Sequence, residues 1–200
     1  MNSNKKALII FQKNVIPGKV KTRIAVDLGD EKAVEIYRFL INRTHKEVSK
    51  LEGVDIFVFF SEKLEIPSWK PKGGILKGCL QNGKDLGEKM ESAFEEIFSK
   101  GFKQAVIIGT DCPEITTEII YNAFNKLNSF DVVLGPAKDG GYYLLGMKQI
   151  FHELFKNIPW STSEVLETTI AHAIQEQISY TTLETLSDID TAQDWENYHL

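Results

Sequence analysis

Ala105-Val106-Ile107-Ile108-Gly109-Thr110-Asp111-Cys112-Pro113 is the stretch on which the fold is read. Four apolar residues, three of them β-branched, run into Gly-Thr-Asp and stop at a proline, the pattern of a strand buried on both faces and ended by a turn. Similar runs lie at Ala7 to Phe11, Val54 to Phe60 and Val132 to Leu134, with a shorter one at Ile75 to Cys79. Between them, apolar residues recur at intervals of three and four: Ala33, Val34, Tyr37, Leu40, Ile41 and Val48, then Leu86, Met90, Ala93, Phe94 and Ile97, then Ile119, Ile120, Ala123, Phe124 and Leu127. These are helices with one buried face. Strands alternating with helices demand right-handed crossovers, so the expected fold class is α/β, a three-layer α/β/α arrangement around a mostly parallel sheet. Tyr142 to Met147 follows the preceding strand too closely for a crossover helix and is expected to return as the one antiparallel strand of a mixed sheet. Lys63 to Gly74, with Pro67 and Pro71, reads as a long surface loop. With no internal repeat or Gly/Ser-rich linker, residues 1–200 are expected to form a single domain.

Composition excludes several classes. The hydrophobic fraction of 42% and charged fraction of 26% are those of an ordinary globular chain. A net charge of −5 offers no overall attraction to nucleic acid or to an anionic membrane, so neither is expected as a partner. The start, Met1-Asn2-Ser3-Asn4-Lys5-Lys6, leads into an apolar run too short for a signal sequence or a membrane span. Cys79 and Cys112 are the only cysteines and read as reduced thiols, which completes the expectation of a cytoplasmic protein. His45, His152, His172 and His199 show no metal-ligand spacing.

Ligands of open α/β sheets bind beyond the carboxyl ends of the parallel strands, so the polar residues after each apolar run are the first candidates. After the first run comes Lys13-Asn14-Val15-Ile16-Pro17-Gly18-Lys19-Val20-Lys21-Thr22-Arg23. Its cations Lys13, Lys19, Lys21 and Arg23 either wrap a polyphosphate or form a solvated basic loop. Asp111, delivered by the run quoted first, suits a hard divalent cation; its alternative is a turn or helix cap, but Thr116 and Thr117 are better placed to cap. In Gly135-Pro136-Ala137-Lys138-Asp139-Gly140-Gly141, Asp139-Gly140 signals a hairpin, while Gly140 and Gly141 also permit close approach of a ligand.

Near the end, Ser187-Asp188-Ile189-Asp190-Thr191-Ala192-Gln193-Asp194 contains a capping box, Asp190 to Gln193, yet Asp188 or Asp190 can equally be a second metal carboxylate. Asp85, with Gly87, opens a helix where it either caps or leaves backbone N–H groups to an anion, and capping is favoured. Trp160-Ser161-Thr162-Ser163-Glu164 holds a Ser-x-x-Glu capping box, with Trp160 a core aromatic or a pocket wall.

Taken in order, Pro-Gly-x-x-Lys-Thr-Arg, Asp-Leu-Gly-x-x-Met, Ile-Gly-Thr-Asp-Cys-Pro, Gly-Pro-Ala-x-Asp-Gly-Gly-Tyr-Tyr-Leu-Leu-Gly, Trp-Ser and Asp-Ile-Asp-Thr-x-x-Asp resemble the radical-SAM/selenodomain-associated transferase 1 family. The resemblance runs from about residue 7 to residue 198. It implies a glycosyltransferase A-type, nucleotide-diphospho-sugar transferase-like fold. The better-understood relatives of that family include phospholactate guanylyltransferase, molybdenum-cofactor guanylyltransferase and the cytidylyltransferases. By that likeness, Lys19, Lys21 and Arg23 hold a triphosphate, Asp111 binds Mg2+ (or Mn2+), and Asp190 with Asp188 nearby supplies the second acidic ligand. Two departures matter. Phe11-Gln12-Lys13-Asn14 replaces the relatives' Gly-rich start, and Thr110-Asp111-Cys112 stands where glycosyltransferases of this fold often carry Asp-x-Asp.

The expected activity is metal-dependent nucleotidyl transfer from a nucleoside triphosphate to a small anionic acceptor, with Asp111, Lys21 and Arg23 at the chemistry. Lys13, Lys19, Asp85, Gly87, Asp139, Gly140, Gly141 and Trp160 are expected around the substrates. Glycosyl transfer from a nucleotide-sugar, and nucleotide binding without turnover, are the competing readings.

Overall fold

The computed structural model describes residues 5–198; Met1 to Asn4 of the basic start and His199 lie outside the described residues. The apolar runs become β1 (Lys6–Gln12), β2 (Val54–Phe60), β3 (Leu76–Leu80), β4 (Gln104–Ile108), β5 (Val132–Pro136) and β6 (Tyr142–Met147). The periodic segments become α2 (Asp30–Val48), α3 (Leu86–Ser99) and α4 (Thr117–Lys126). Short α1 (Thr22–Leu28), α5 (Val165–Gln175), edge strand β7 (Tyr180–Thr182) and α6 (Ala192–Tyr198) complete the set, with a 3-10 turn at His152–Phe155.

The strands form a sheet in the order β3-β2-β1-β4-β6-β5-β7. Parallel pairing joins β1 to β2 and β4, β2 to β3, and β5 to β7. Strand β6 runs antiparallel between β4 and β5, as the short connection before it requires. Alternation along the central strands supplies both faces: Leu8, Ile10, Val106 and Ile108 pack with Ile120 and Phe124 of α4, whereas Ala7, Ile9, Ala105 and Ile107 pack with Phe94 and Ile97 of α3. Helices on both sides explain why β1 and β4 read as unbroken apolar runs instead of alternating ones.

Three local expectations change. The basic loop is shorter than its sequence suggests, because α1 starts at Thr22 and takes Arg23 into its first turn. Ser161 does not cap a helix: it has φ 67°, and α5 begins after Glu164 with no side-chain cap. The final capping box lies one residue later than expected. The Thr191 hydroxyl accepts from the Asp194 N–H at 3.2 Å while Asp194 Oδ2 accepts from the Thr191 N–H at 2.8 Å. The carboxylate of Asp190 is thereby released from capping. Thr116 and Asp85 do cap, accepting from Ile119 N–H at 3.3 Å and Glu88 N–H at 2.8 Å.

No helix spans the link from β2 to β3. Its loop is held instead by α2: the Trp69 and His45 rings lie 5.0 Å apart, and the Lys72 N–H donates to the Ser49 carbonyl at 2.7 Å. Burial lowers His45 to about 4, so the imidazole is neutral near pH 7 where it pairs with Gln12 Oε1 at 2.9 Å.

Glu47 locks α2 to the start of α4. Its side chain is 6% exposed and accepts from Arg43 and Lys50, both at 2.7 Å, and from the Thr117 hydroxyl at 3.0 Å and N–H at 3.3 Å. Burial alone would raise its pKa, but the bonds from Lys50 and Thr117 outweigh burial and bring the carboxyl down to about 2. A depressed carboxylate contributes stability that is present above its unfolded pKa near 4.5 and lost as pH falls toward 2. Glu47→Gln is therefore expected to cost roughly 1–3 kcal/mol in urea unfolding at pH 7. The gap to wild type should close as pH drops from 5 to 2; a gap independent of pH would refute the charge-based account.

Candidate active site

The carboxyl ends of β1 and β4 lie side by side, so Lys13 and Asp111 leave the sheet on the same rim. The chain after β7 returns to this rim by main-chain bonds. Leu186 N–H donates to the Pro136 carbonyl at 3.1 Å, and Ile189 N–H donates to the Asp111 carbonyl at 2.9 Å. The second bond places Asp188 and Asp190 on either side of a residue fixed to Asp111, across a long sequence separation.

Lys21 enters this group from the other direction. It caps α1 with left-handed φ 48° and ψ 46°, a backbone state uncommon for a side chain with a Cβ and characteristic of over-determined positions at functional sites. Its side chain is 3% exposed, with Nζ 2.9 Å from Asp111 Oδ1 and 3.3 Å from Asp190 Oδ1. It also donates to the Ile189 carbonyl. Two hydrogen bonds, to the Ile189 carbonyl and Asp190, and the ion pair with Asp111 make this buried ammonium tolerable. Arg23 adds a bond to Asp190 Oδ2 at 3.2 Å.

Asp188 has no such relief. Its Oδ1 is buried without a hydrogen-bond partner among the described residues. Burial first, then the charges of Asp111 and Asp139, push its carboxyl up to about 7 against the opposing pull of Lys21. Asp111, Asp139, Asp188 and Asp190 thus share one buried lysine and one exposed arginine, and the cluster is short of positive charge. A hard divalent cation fits that donor set, oxygen ligands with an unsatisfied carboxylate among them.

Two cavities meet at Asp111 and Asp188. One, of about 450 Å3, runs between α3 and the sheet with Phe11, Leu86, Met90, Ile107 and Tyr142 among its walls. The other, of about 630 Å3, is polar and is bordered by Arg23, Asp139, Trp160, Ser161, Thr162 and Asp190. Two glycines hold the Trp160 to Ser163 wall in place. A Cβ on Gly87 would lie 2.3 Å from Trp160 Nε1, and one on Gly140, at φ 90°, would lie 2.1 Å from the Ser163 carbonyl oxygen.

The sequence-predicted residues therefore separate. Asp111, Asp188, Asp190, Lys13, Lys21, Arg23, Asp139, Gly141 and Trp160 border one or both cavities. Lys19 points away to Glu62 at 2.9 Å, Asp85 serves as the α3 cap, and Gly87 and Gly140 support the wall from behind. Asp139 also makes its hairpin turn, accepting from Gly141 N–H at 2.9 Å.

Two residues escaped sequence reasoning. Tyr37 looks like one more apolar position of α2, yet its hydroxyl reaches Lys13 and Thr110. Asn14, 2% exposed, ties the loop after β1 to the loop after β2, accepting from Glu62 N–H at 2.9 Å and Lys63 N–H at 3.1 Å. The available signal was a phenol at a buried helical position, where an O–H needs a partner. Outside this rim, Glu91, Glu95 and His152 also gather, although the histidines show no ligand spacing in sequence.

Residues 44–162 match the model of the bacterial family described as "Uncharacterized protein conserved in bacteria (DUF2064)". The chain belongs to this family. Among curated proteins, this DUF2064 member is 28% identical over 148 residues to 2-phospho-L-lactate guanylyltransferase of Methanocaldococcus jannaschii, an alignment covering 74% of the chain and 62% of that protein. The chain thus spans less than two thirds of that relative's length. Among solved structures, a proposed nucleotide-diphospho-sugar transferase from Desulfovibrio desulfuricans G20 superposes with TM-score 0.86 at 27% identity, over 98% of this chain and 86% of that one. The 4-diphosphocytidyl-2C-methyl-D-erythritol synthase of Anaerococcus prevotii shares the fold, with TM-score 0.63 at 10% identity over 99% and 96% of the two chains. The DUF2064 chain has the nucleotide-diphospho-sugar transferase-like fold expected from its motifs.

Helix propensity alone makes Gly87→Ala favourable by about 0.5–1 kcal/mol. Because the added carbon on α3 would overlap the Trp160 ring, which is itself packed against the core, the expected result is the reverse, a lower melting temperature with altered tryptophan emission. Unchanged emission with increased stability would show that Trp160 is not clamped.

Proposed function

We propose that this DUF2064 protein is a metal-dependent nucleotidyltransferase that joins a nucleoside monophosphate to a small anionic acceptor. The observation that carries the reading is the partnerless buried oxygen of Asp188 beside Asp111, where an apolar and a polar cavity meet. The apolar cavity suits a base and ribose, and the polar one suits phosphates and the acceptor. Asp111 and Asp188 would hold Mg2+ or Mn2+, in preference to Asp190, whose two oxygens already serve Lys21 and Arg23. That ion would supply charge neutralisation at the phosphate oxygens.

In the proposed reaction an oxygen of the acceptor anion forms a bond to the α-phosphorus. The bond from that phosphorus to the bridging oxygen breaks, and its electron pair leaves on pyrophosphate. An anionic acceptor has no proton to surrender, so alignment and positive charge are the protein's tasks. Lys13, Lys21 and Arg23 bring that charge to the polar cavity. Thr110-Asp111-Cys112 in place of Asp-x-Asp favours nucleotidyl over glycosyl transfer, as does the named guanylyltransferase relative. Membership in the narrower radical-SAM/selenodomain-associated branch, a single domain and a cytoplasmic setting belong to the same proposal. The two buried free cysteines agree with a reducing compartment, and among the described residues no helix is long and apolar enough to cross a membrane.

With Mn2+ or Mg2+, GTP and CTP offered separately with 2-phospholactate and other phosphorylated carboxylic acids, pyrophosphate release is the expected signal. Asp111→Asn and Asp188→Asn should each reduce turnover by about 100-fold or more. Release of a nucleoside diphosphate from nucleotide-sugars would favour glycosyl transfer instead, and full metal-dependent activity in Asp111→Asn would sink the site assignment.

A further inference from the structure

The cations of the first loop are not equivalent. Lys19 is held by Glu62, Lys21 is buried against Asp111 and Asp190, and Arg23 is bonded to Asp190. Each of the three is already neutralised by a carboxylate. Lys13 differs: it borders both cavities, and no carboxylate pairs with its ammonium among the described residues. An anion entering the junction meets Lys13 without first breaking an ion pair.

Its main chain is unusually well fixed. Tyr37, 2% exposed, uses the whole hydrogen-bonding capacity of its hydroxyl at this point. The oxygen accepts from the Lys13 N–H at 2.8 Å and from the Thr110 hydroxyl at 3.3 Å, and the O–H donates to the Lys13 carbonyl at 3.2 Å. Burial raises the phenol far above its ordinary range, so it stays neutral and keeps both roles. On the following residue, Asn14 N–H donates to the Ser61 hydroxyl at 3.2 Å. Lys13 is thus pinned on both sides, and the same phenol touches the residue immediately before Asp111.

We propose that Lys13 is the principal anion anchor of the site, contacting the phosphates of the nucleotide, and that Tyr37 is a positioning residue that sets Lys13 relative to Asp111. This assignment rests on the nucleotidyltransferase reading and moves the phosphate contact away from Lys19 and Lys21. Lys21 then serves chiefly as the resident counter-ion of the aspartates. Its displacement onto a phosphate would leave the half-exposed carboxylates of Asp111 and Asp190 without the buried ammonium that balances them, whereas Lys13 has no such obligation.

The test is a double-mutant cycle read by GTP and CTP affinity in the presence of Mn2+, using the full chain. Lys13→Ala is expected to weaken binding at least tenfold. Tyr37→Phe, which removes the hydroxyl but keeps the ring in the α2 core, should weaken it severalfold while the thermal transition remains single and cooperative. Because Tyr37 acts through Lys13, the double variant should bind no more weakly than Lys13→Ala alone. Wild-type affinity in Lys13→Ala would overturn the anchor, and additive losses in the double variant would overturn the positioning role. If the wild-type protein itself bound neither nucleotide, the nucleotidyltransferase reading would fall and this assignment with it, an outcome distinct from the other two.

Discussion

A lysine ammonium buried among aspartates is the constraint on which the rim of this sheet depends. Lys21 comes from the N-cap of α1, Asp111 from the end of β4, and Asp190 from the last turn before α6, so one Nζ gathers three distant parts of the chain. Burying an unpaired charge costs several kcal/mol, and the left-handed backbone at Lys21 adds to that cost. The arrangement persists because the Ile189 carbonyl and Asp190 accept from the ammonium and Asp111 forms an ion pair with it, while the Ile189 N–H to Asp111 bond fixes the turn that carries the two acceptors. The same packing leaves Asp188 Oδ1 without a donor among the described residues, so the charge deficit of the cluster follows from the way the cluster is assembled.

The rest of the site is built by close approach. Gly87 and Gly140 are not themselves at the cavities; they let the Trp160 to Ser163 segment come within a distance no Cβ would allow. That segment lines the polar cavity and rests on Gly87 of α3 and Gly140 of the β5 to β6 hairpin. Tyr37 and Asn14 perform the corresponding service on the other side, where the loop after β1 meets the loop after β2. Polar side chains at 2% exposure are stable there because each is fully occupied by partners, which makes the positions of Lys13 and Thr110 rigid consequences of the core.

Much of the architecture is legible in the sequence. The apolar runs at Ala7, Val54, Ala105 and Val132 located buried strands because a strand covered on both faces has no polar alternation to disguise it. The spacing in Asp30–Val48 and Leu86–Ser99 located helices because one face must be apolar. Tyr142–Met147 was recognisable as antiparallel from connection length alone. Edge strand β7 and helix α1 were not, since three half-exposed residues and a seven-residue helix opening on a strained lysine carry little periodic signal.

By itself, the sequence determined the α/β class, the direction of β6 and the membership of Asp111 in a strand-end motif, all of which depend on local periodicity and short connections. Tertiary structure alone decided which charges remain free. Asp190 or Asp188 as a partner for Asp111, and Lys13 or Lys19 as an open cation, are questions of which groups neutralise which, and ion pairs form between residues that sequence order keeps far apart. The one-residue shift of the final capping box, from Asp190 to Thr191, shows how fine that decision is: backbone N–H groups that take Asp194 in place of Gln193 leave the Asp190 carboxylate to Lys21 and Arg23.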